Sequence, residues 1–236
     1  FWSFRHVLGF VGRRAAFPPL GLLTVAAMLP ADWELKLVDT NIAPLLERDI
    51  AWADWVMRSG MIVHKDAARE IARRCAALER PVIAGGPLFT TGHHEFPEIP
   101  HFVLGEAEGV IDELVADLRA GQVGKAYRAA GFPDVTRSPV PRWDLVDMRH
   151  YVTMTVQFSR GCPFDCEFCD IIVMNGRVPR TKSPAQLVAE LEALSPGDWE
   201  AYHAGYFNHI VNSNPNSILP LSFLRDLERQ GRIGKV

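Results

Sequence analysis

Between residues 18 and 125 the sequence alternates short apolar segments with amphipathic helical patterns, and this alternation sets the strongest limit on the fold. Strands that alternate with helices of about 10–15 residues run parallel and are joined by crossovers. The sequence therefore predicts an α/β fold with an open, doubly wound, Rossmann-like sheet. The predicted strands lie at 34–39, 81–84 and 101–104, an apolar segment combines 55–57 with 61–63, and the predicted helices lie at 20–29, 66–78 and 106–120.

Short loops rich in glycine follow three of these apolar segments. In an open parallel sheet, the loops at the carboxyl ends of the strands form the ligand crevice. These loops are therefore candidates for binding a ligand, although Gly-Gly-Pro after a strand is in isolation more typical of a plain turn. The candidate crevice residues are Ser59, Gly60, Gly85, Gly86, Pro87, Gly105 and Glu106.

Three of the four cysteines, Cys162, Cys166 and Cys169, lie within eight residues of each other, just after a predicted strand at 151–158. Such clustering favours a metal or cluster site in a reducing compartment, here the cytoplasm, over a disulfide framework. The fourth cysteine, Cys75, lies in a helical pattern and is predicted to be a buried core residue. Iron–sulfur clusters are usually held by four thiolates, so three would leave one metal position open for chemistry.

The same three cysteines admit a second interpretation, a structural zinc site completed by His150. Structural zinc sites are tetrahedral and use cysteine and histidine ligands. They more often combine paired C-x2-C motifs, and this sequence has a single such pair. The spacing therefore favours an iron–sulfur cluster, with zinc as the alternative.

The spacing C-x3-C-x2-C, with the aromatic Phe168 directly before the last cysteine, resembles the motif of the radical S-adenosylmethionine (SAM) superfamily. The resemblance implies that Cys162, Cys166 and Cys169 hold a 4Fe-4S cluster whose open iron chelates SAM. It further implies that one electron from the cluster cleaves SAM to a 5′-deoxyadenosyl radical, and that Phe168 lies beside the adenine.

Upstream segments resemble the cobalamin-binding domain that precedes many radical SAM barrels; they lie at 17–23, 37–39, 84–87 and 105–108. The run from 141 to 184 is similar to the group that includes hopanoid methylases. This resemblance implies cobalamin between the crevice loops and the barrel mouth, with cobalt relaying a methyl group from one SAM to a carbon made radical by a second. The Asp-x-His-x-x-Gly motif of methionine synthase-type domains is absent, so no histidine of that motif ligates the cobalt.

The predicted organisation has four parts: a cobalamin-binding-type domain at 1–125 lacking its first strand, a linker at 126–150, the start of a radical SAM (β/α) barrel at 151–194, and a divergent segment at 195–236. Residues 221–236 instead resemble glycine and proline reductase-type proteins. A complete eight-unit barrel needs about 250 residues. The sequence therefore suggests a truncated or chimeric reading frame.

Charge and hydropathy exclude two kinds of partner. The formal net charge is −3, so the chain lacks the basic excess of a nucleic-acid-binding protein. Its longest apolar run, 20–29, is shorter than the roughly 20 residues that cross a bilayer.

We expect a radical SAM enzyme, a cobalamin-dependent methyltransferase acting on an unactivated carbon of a small molecule or lipid, with flavodoxin or ferredoxin as electron donor. A non-catalytic cobalamin-binding module and a zinc-stabilised interaction domain are the alternatives.

Overall fold

A four-stranded parallel sheet forms the centre of the first half of the chain. The computed structural model describes residues 8–9, 12–167, 169–193 and 229–231. Neighbouring strands follow one another in chain order, and all three pairings are parallel. The strands are β1 (Val56–Ser59), β2 (Val82–Gly85), β3 (His101–Leu104) and β4 (Ala126–Arg128). The predicted α/β class with a parallel sheet is thereby confirmed.

Helices cover both faces of this sheet. Those bounded within the described residues are α1 (Leu20–Met28), α2 (Glu47–Trp52), α3 (Lys65–Ala77), α4 (Pro87–Gly92), α5 (Ile111–Ala120), α6 (Ile171–Asn175) and α7 (Pro184–Glu192). Helices α3 and α4 share a core with Val82 and Phe102 on one face, and α5 shares a core with Ile83 and Val103 on the other. Adjacent residues of a strand point to opposite faces, so β2 and the Phe102–Leu104 part of β3 are apolar on both faces.

A third hydrophobic core joins the two halves of the chain. It contains Leu23 of α1, Trp143 and Tyr151, together with Leu187 and other residues of α7. The backbone N–H groups of residues 14 and 15 donate to the carbonyl of residue 150, and residues 15 and 151 form an isolated parallel bridge. The N-terminal segment therefore packs against the region that follows the sheet.

A short antiparallel pair closes the base of the cysteine-containing segment. Strand β5 (Ser159–Arg160) pairs with β6 (Arg180–Thr181), and Ser159 lies opposite Thr181. Helix α7 begins directly afterwards with the predicted capping box, in which the Ser183 hydroxyl accepts from the backbone N–H of Gln186. The buried side chains of Lys182 and Glu190 form an ion pair that ties β6 to α7.

The strands predicted at 34–39 and 151–158 are wrong. Strand β4, in addition, lies within 126–150, where a linker is expected. Among the described residues, 34–39 pair with no strand and 151–158 contribute a single bridge at Tyr151. A strand needs a neighbouring backbone as well as an alternating pattern. Within 126–150, β4 joins the sheet through the buried Tyr127, whose hydroxyl donates to Asp117 at 2.7 Å. None of the described helices has the length and apolar character needed to span a membrane.

Candidate functional site

The three predicted crevice loops lie together at the carboxyl edge of the sheet. Ser59 at the end of β1 pairs in register with Gly85, and Gly85 pairs with Val103 of β3. The loops are also linked by hydrogen bonds: the Leu88 N–H donates to the Gly60 carbonyl at 3.0 Å, and the Gly105 N–H donates to Thr90 Oγ1 at 3.0 Å. The sheet thus brings these predicted residues to one edge.

Two glycines shape this edge in different ways. A Cβ placed on Gly86 would lie 2.3 Å from the Ser59 hydroxyl oxygen, so the first two loops touch each other there. Gly105 has a φ of +86°, and a Cβ placed on it would meet no atom within 4 Å. Gly105 therefore faces open space beside the third loop, whereas the exposed Pro87 begins helix α4.

The cysteine loop spans residues 161–179, between β5 and β6. The Cys162 N–H donates to the Gly176 carbonyl at 3.0 Å, and the Cys169 N–H donates to the Cys166 carbonyl at 3.1 Å. Cys162 is buried, Cys166 is exposed and Cys169 is half-buried, and all three are free thiols. Helix α6, within this loop, contacts helix α4 of the sheet domain.

The other predicted ligands lie apart from this loop or outside the described part of the chain. Phe168 lies outside the described residues. His150 lies 3.8 Å from a carboxylate oxygen of Asp147. Cys75 is fully buried in α3, where burial raises the pKa of its thiol. Among residues 8–9, 12–167, 169–193 and 229–231, no group of three or more His, Cys, Asp or Glu side chains is assembled to hold a metal ion.

Glu106, predicted as a crevice residue, is the centre of an ion-pair network between the third crevice loop and the base of the cysteine loop. Its side chain is 6% exposed. Arg160 Nη1 donates to Glu106 Oε2 at 2.8 Å, and Arg180 Nη1 donates to the same oxygen at 2.9 Å. Arg160 Nη2 also donates to Glu108 Oε1 at 2.7 Å, and the Ser138 hydroxyl donates to that oxygen. We call Glu106, Glu108, Arg160 and Arg180 the bridging network.

The charges within the bridging network stabilise one another. Burial acts to raise the pKa of Glu108, but the hydrogen bond and positive charge of Arg160, with the Ser138 hydroxyl, lower this pKa to about 2. Burial acts to lower the pKa of Arg160, but the two glutamates outweigh this effect and raise it. Both groups are therefore ionised throughout the physiological pH range.

The sequence predictions missed Arg160, Arg180, Glu108 and Ser138 as members of this site. One signal for them is the sequence Gly-Glu-Ala-Glu, which directly follows β3 and places two carboxylates at the carboxyl edge of the sheet. Another was Ser-Arg-Gly before the first cysteine. Neither signal identifies a partner, because these residues lie more than fifty positions apart in the sequence.

Two protein families match different parts of the chain. Residues 12–115 match the B12 binding domain family. Residues 182–236 match the glycine/sarcosine/betaine reductase selenoprotein B family. The second match includes the segment 221–236, for which the sequence indicates a reductase-type resemblance.

The relatives of the chain include methyltransferases. An uncharacterised methyltransferase from Synechocystis is 46% identical over 84% of this chain and 38% of its own length. The hopanoid C-2 methylase of Rhodopseudomonas palustris is 36% identical over 82% of this chain and 38% of its own length. The chain thus spans 38% of the length of both relatives.

A solved structure shares the fold. The radical SAM methyltransferase TsrM from Kitasatospora setae, with tryptophan substrate and a SAM analogue bound, aligns with a TM-score of 0.63 and 18% identity. The alignment covers 93% of this chain and 53% of TsrM. Residues 12–115 thus match the B12 binding domain family, and the chain is similar to methyltransferases that include hopanoid C-2 methylase.

Proposed function

We propose that this chain supplies the cobalamin-binding domain and the cluster-binding loop of a radical SAM methyltransferase that acts on an unactivated carbon. The observation that carries the proposal is the contact between Glu106, which follows the Gly105 crevice position, and Arg160, which lies two residues before Cys162. This contact supports the proposal because it joins the proposed cobalamin crevice to a loop of three free thiols. The proposed substrate is a small molecule or lipid, and the proposed electron donor is a flavodoxin or ferredoxin.

The crevice fits a corrin on structural grounds. A flat macrocycle needs backbone without side chains at its edge, and Gly105 provides open space where a Cβ would otherwise project. The part of this edge formed by the first two loops is closely packed, because a Cβ on Gly86 would lie 2.3 Å from the Ser59 hydroxyl oxygen. We propose that Ser59, Gly60, Gly85, Gly86, Pro87 and Gly105 line the cobalamin crevice, with Glu106 at its boundary.

The cysteine loop fits a 4Fe-4S cluster through the chemistry of its donors. Thiolates are the ligands of such clusters, and Cys162, Cys166 and Cys169 are free thiols within one loop. Three protein ligands leave one iron open for SAM. We propose that Phe168 lies beside the adenine of SAM.

Bound cluster and cobalamin would supply electron transfer and methyl transfer respectively. The protein's own residues hold the two sites in a fixed arrangement. Arg160 and Arg180 hold the two strands at the base of the cysteine loop against Glu106. The fully buried Leu23 and Leu191 of the third core exclude water from the packing of α1 against α7.

Replacing Gly105 with alanine is expected to weaken cobalamin binding at least about tenfold, because the new methyl group enters the space proposed for the corrin. Gly121→Ala is the matched control. Gly121 also has a positive φ of +68° and no atom within 4 Å of an added Cβ, but it ends helix α5 away from the crevice. Both variants therefore place an alanine at a positive φ, which costs an L residue on the order of 1–2 kcal/mol.

The measurement is a titration of hydroxocobalamin with the purified chain, followed by its visible spectrum and by equilibrium dialysis. We expect wild type and Gly121→Ala to bind with similar affinity and Gly105→Ala to bind more weakly. Equal affinity for all three proteins would contradict the proposed crevice. Cobalamin binding with no iron bound after reconstitution would favour the non-catalytic module.

A further inference from the structure

Two arginines lie side by side at the base of the cysteine loop. Arg160 of β5 is the register partner of Arg180 of β6. Like charges placed opposite each other on paired strands repel and destabilise the pair. Here one oxygen of Glu106 accepts hydrogen bonds from both guanidinium groups, which converts the repulsion into a shared attraction. The β5–β6 pair therefore depends on a carboxylate from the sheet domain.

The bridging network is buried and balanced in charge. Its side chains are 3–17% exposed, and two glutamates face two arginines. Arg160 has three of its donor atoms engaged, because Nε also donates to Gln157 Oε1 at 2.8 Å. Arg180 also donates to the carbonyls of Pro133 and Asn175 and stacks on the Phe132 ring. Guanidinium groups held by several directed bonds fix orientation as well as distance.

The bridging network differs from an ordinary surface ion pair in its location between the crevice and the cysteine loop. Glu106 is the residue after Gly105, and Arg160 lies two residues before the buried Cys162. A rotation of the cysteine loop relative to the crevice would therefore break several buried ion pairs at once. Removing one partner of a buried ion pair leaves an uncompensated charge and is strongly unfavourable.

We propose that Arg160 and Arg180 are positioning residues that set the orientation of the cysteine loop relative to the cobalamin crevice. This inference rests on the proposed function, because the two proposed cofactors are the groups that need a fixed arrangement. The geometry of the network itself is independent of either cofactor. The role is to orient the loop, and neither arginine is assigned a contact with a cofactor.

The test compares full-length chains that carry Arg160→Gln, Arg180→Gln or Arg160→Lys. Arg177→Gln is the matched control, because Arg177 lies in the same loop and forms an ion pair with Asp165 whose two side chains are 57% and 74% exposed. The first readout is the rate of Cys162 alkylation by iodoacetamide in the cluster-free protein, followed by peptide mass spectrometry. The second readout is the electron paramagnetic resonance (EPR) spectrum and reduction potential of the reconstituted cluster.

We expect Arg160→Gln and Arg180→Gln to raise the alkylation rate of the buried Cys162 at least about tenfold, because the loop opens more often. Arg177→Gln should keep the wild-type rate. Arg160→Lys keeps the positive charge but cannot reproduce the guanidinium geometry, so this variant should show a shifted EPR spectrum and a shifted reduction potential.

Wild-type alkylation rates in both glutamine variants would overturn the proposal, and so would a wild-type EPR spectrum in Arg160→Lys. If Arg160→Gln does not fold, Arg180→Gln and Arg160→Lys supply the same comparison. A wild-type chain that binds no cluster would contradict the proposed function, whereas the alkylation rates would still decide whether the network holds the loop.

Discussion

Replacing Cys162, Cys166 or Cys169 with alanine is expected to abolish the iron–sulfur chromophore of the reconstituted chain. Each of these cysteines is a free thiol in the loop between β5 and β6, and losing one of the three proposed ligands would leave the cluster without a closed attachment. Cys75→Ala is the control and should retain the chromophore, because Cys75 is fully buried in α3. The measurement is the visible absorbance near about 400 nm after anaerobic reconstitution, together with iron and sulfide content.

Equal iron content in all four alanine variants would contradict the assignment of the ligands. A colourless protein that binds zinc through the same cysteines would favour the structural zinc site. Thiolates must be deprotonated to bind metal, so cluster binding should weaken as the pH falls. The cysteine variants and the pH series together separate a cluster from adventitious iron.

Glu108→Gln is expected to lower the free energy of unfolding by about 3 kcal/mol at neutral pH, because it leaves the buried Arg160 with one fewer carboxylate partner. The pKa of Glu108 falls from 4.5 to about 2 in the folded chain. A depressed pKa means that the stabilisation is complete above pH 4.5 and is lost as the pH falls towards about 2. The difference between wild type and variant should therefore shrink below about pH 4.5, by an amount on the order of 2 kcal/mol at pH 3.

Urea unfolding between pH 3 and pH 7 measures this difference, and Asp112→Asn is the control. Asp112 lies in helix α5 and pairs with Arg137 at 3.0 Å, but its side chain is 85% exposed. Exposed pairs of this kind contribute little, so the control should unfold like the wild type. A difference for Glu108→Gln that stays constant with pH would show that Glu108 is not ionised within the network.

Local patterns predict the elements whose partners are close in sequence. The strand at 101–104 has the predicted bounds, and the capping box at Ser183 forms as predicted. The segment 34–39 alternates like a strand but forms no ladder with any of the described residues. Conversely, the short segment Ala126–Arg128 lacks a long pattern and becomes a strand because β3 offers it a free edge. Whether such a segment forms a strand thus depends on pairing with a neighbouring strand, and sequence periodicity does not reveal that pairing.

The candidate site divides in the same way. The cysteines and the glycine loops could be named as candidates from the sequence, because each is part of a short motif of neighbouring residues. The bridging network could not, because an ion pair between Glu106 and Arg160 depends on how the region after the sheet docks onto it. The sequence placed Glu106 at the crevice, and the structure adds that its carboxylate faces Arg160 and Arg180.

We propose that this one chain holds cobalamin and a 4Fe-4S cluster next to each other, on the two sides of the bridging network. The most direct test is the EPR spectrum of the chain reconstituted with both the cobalt(II) form of cobalamin and the reduced cluster. Magnetic interaction between the two centres should broaden or split both signals, relative to samples that contain either one alone. A spectrum equal to the sum of the two separate signals would contradict the claim.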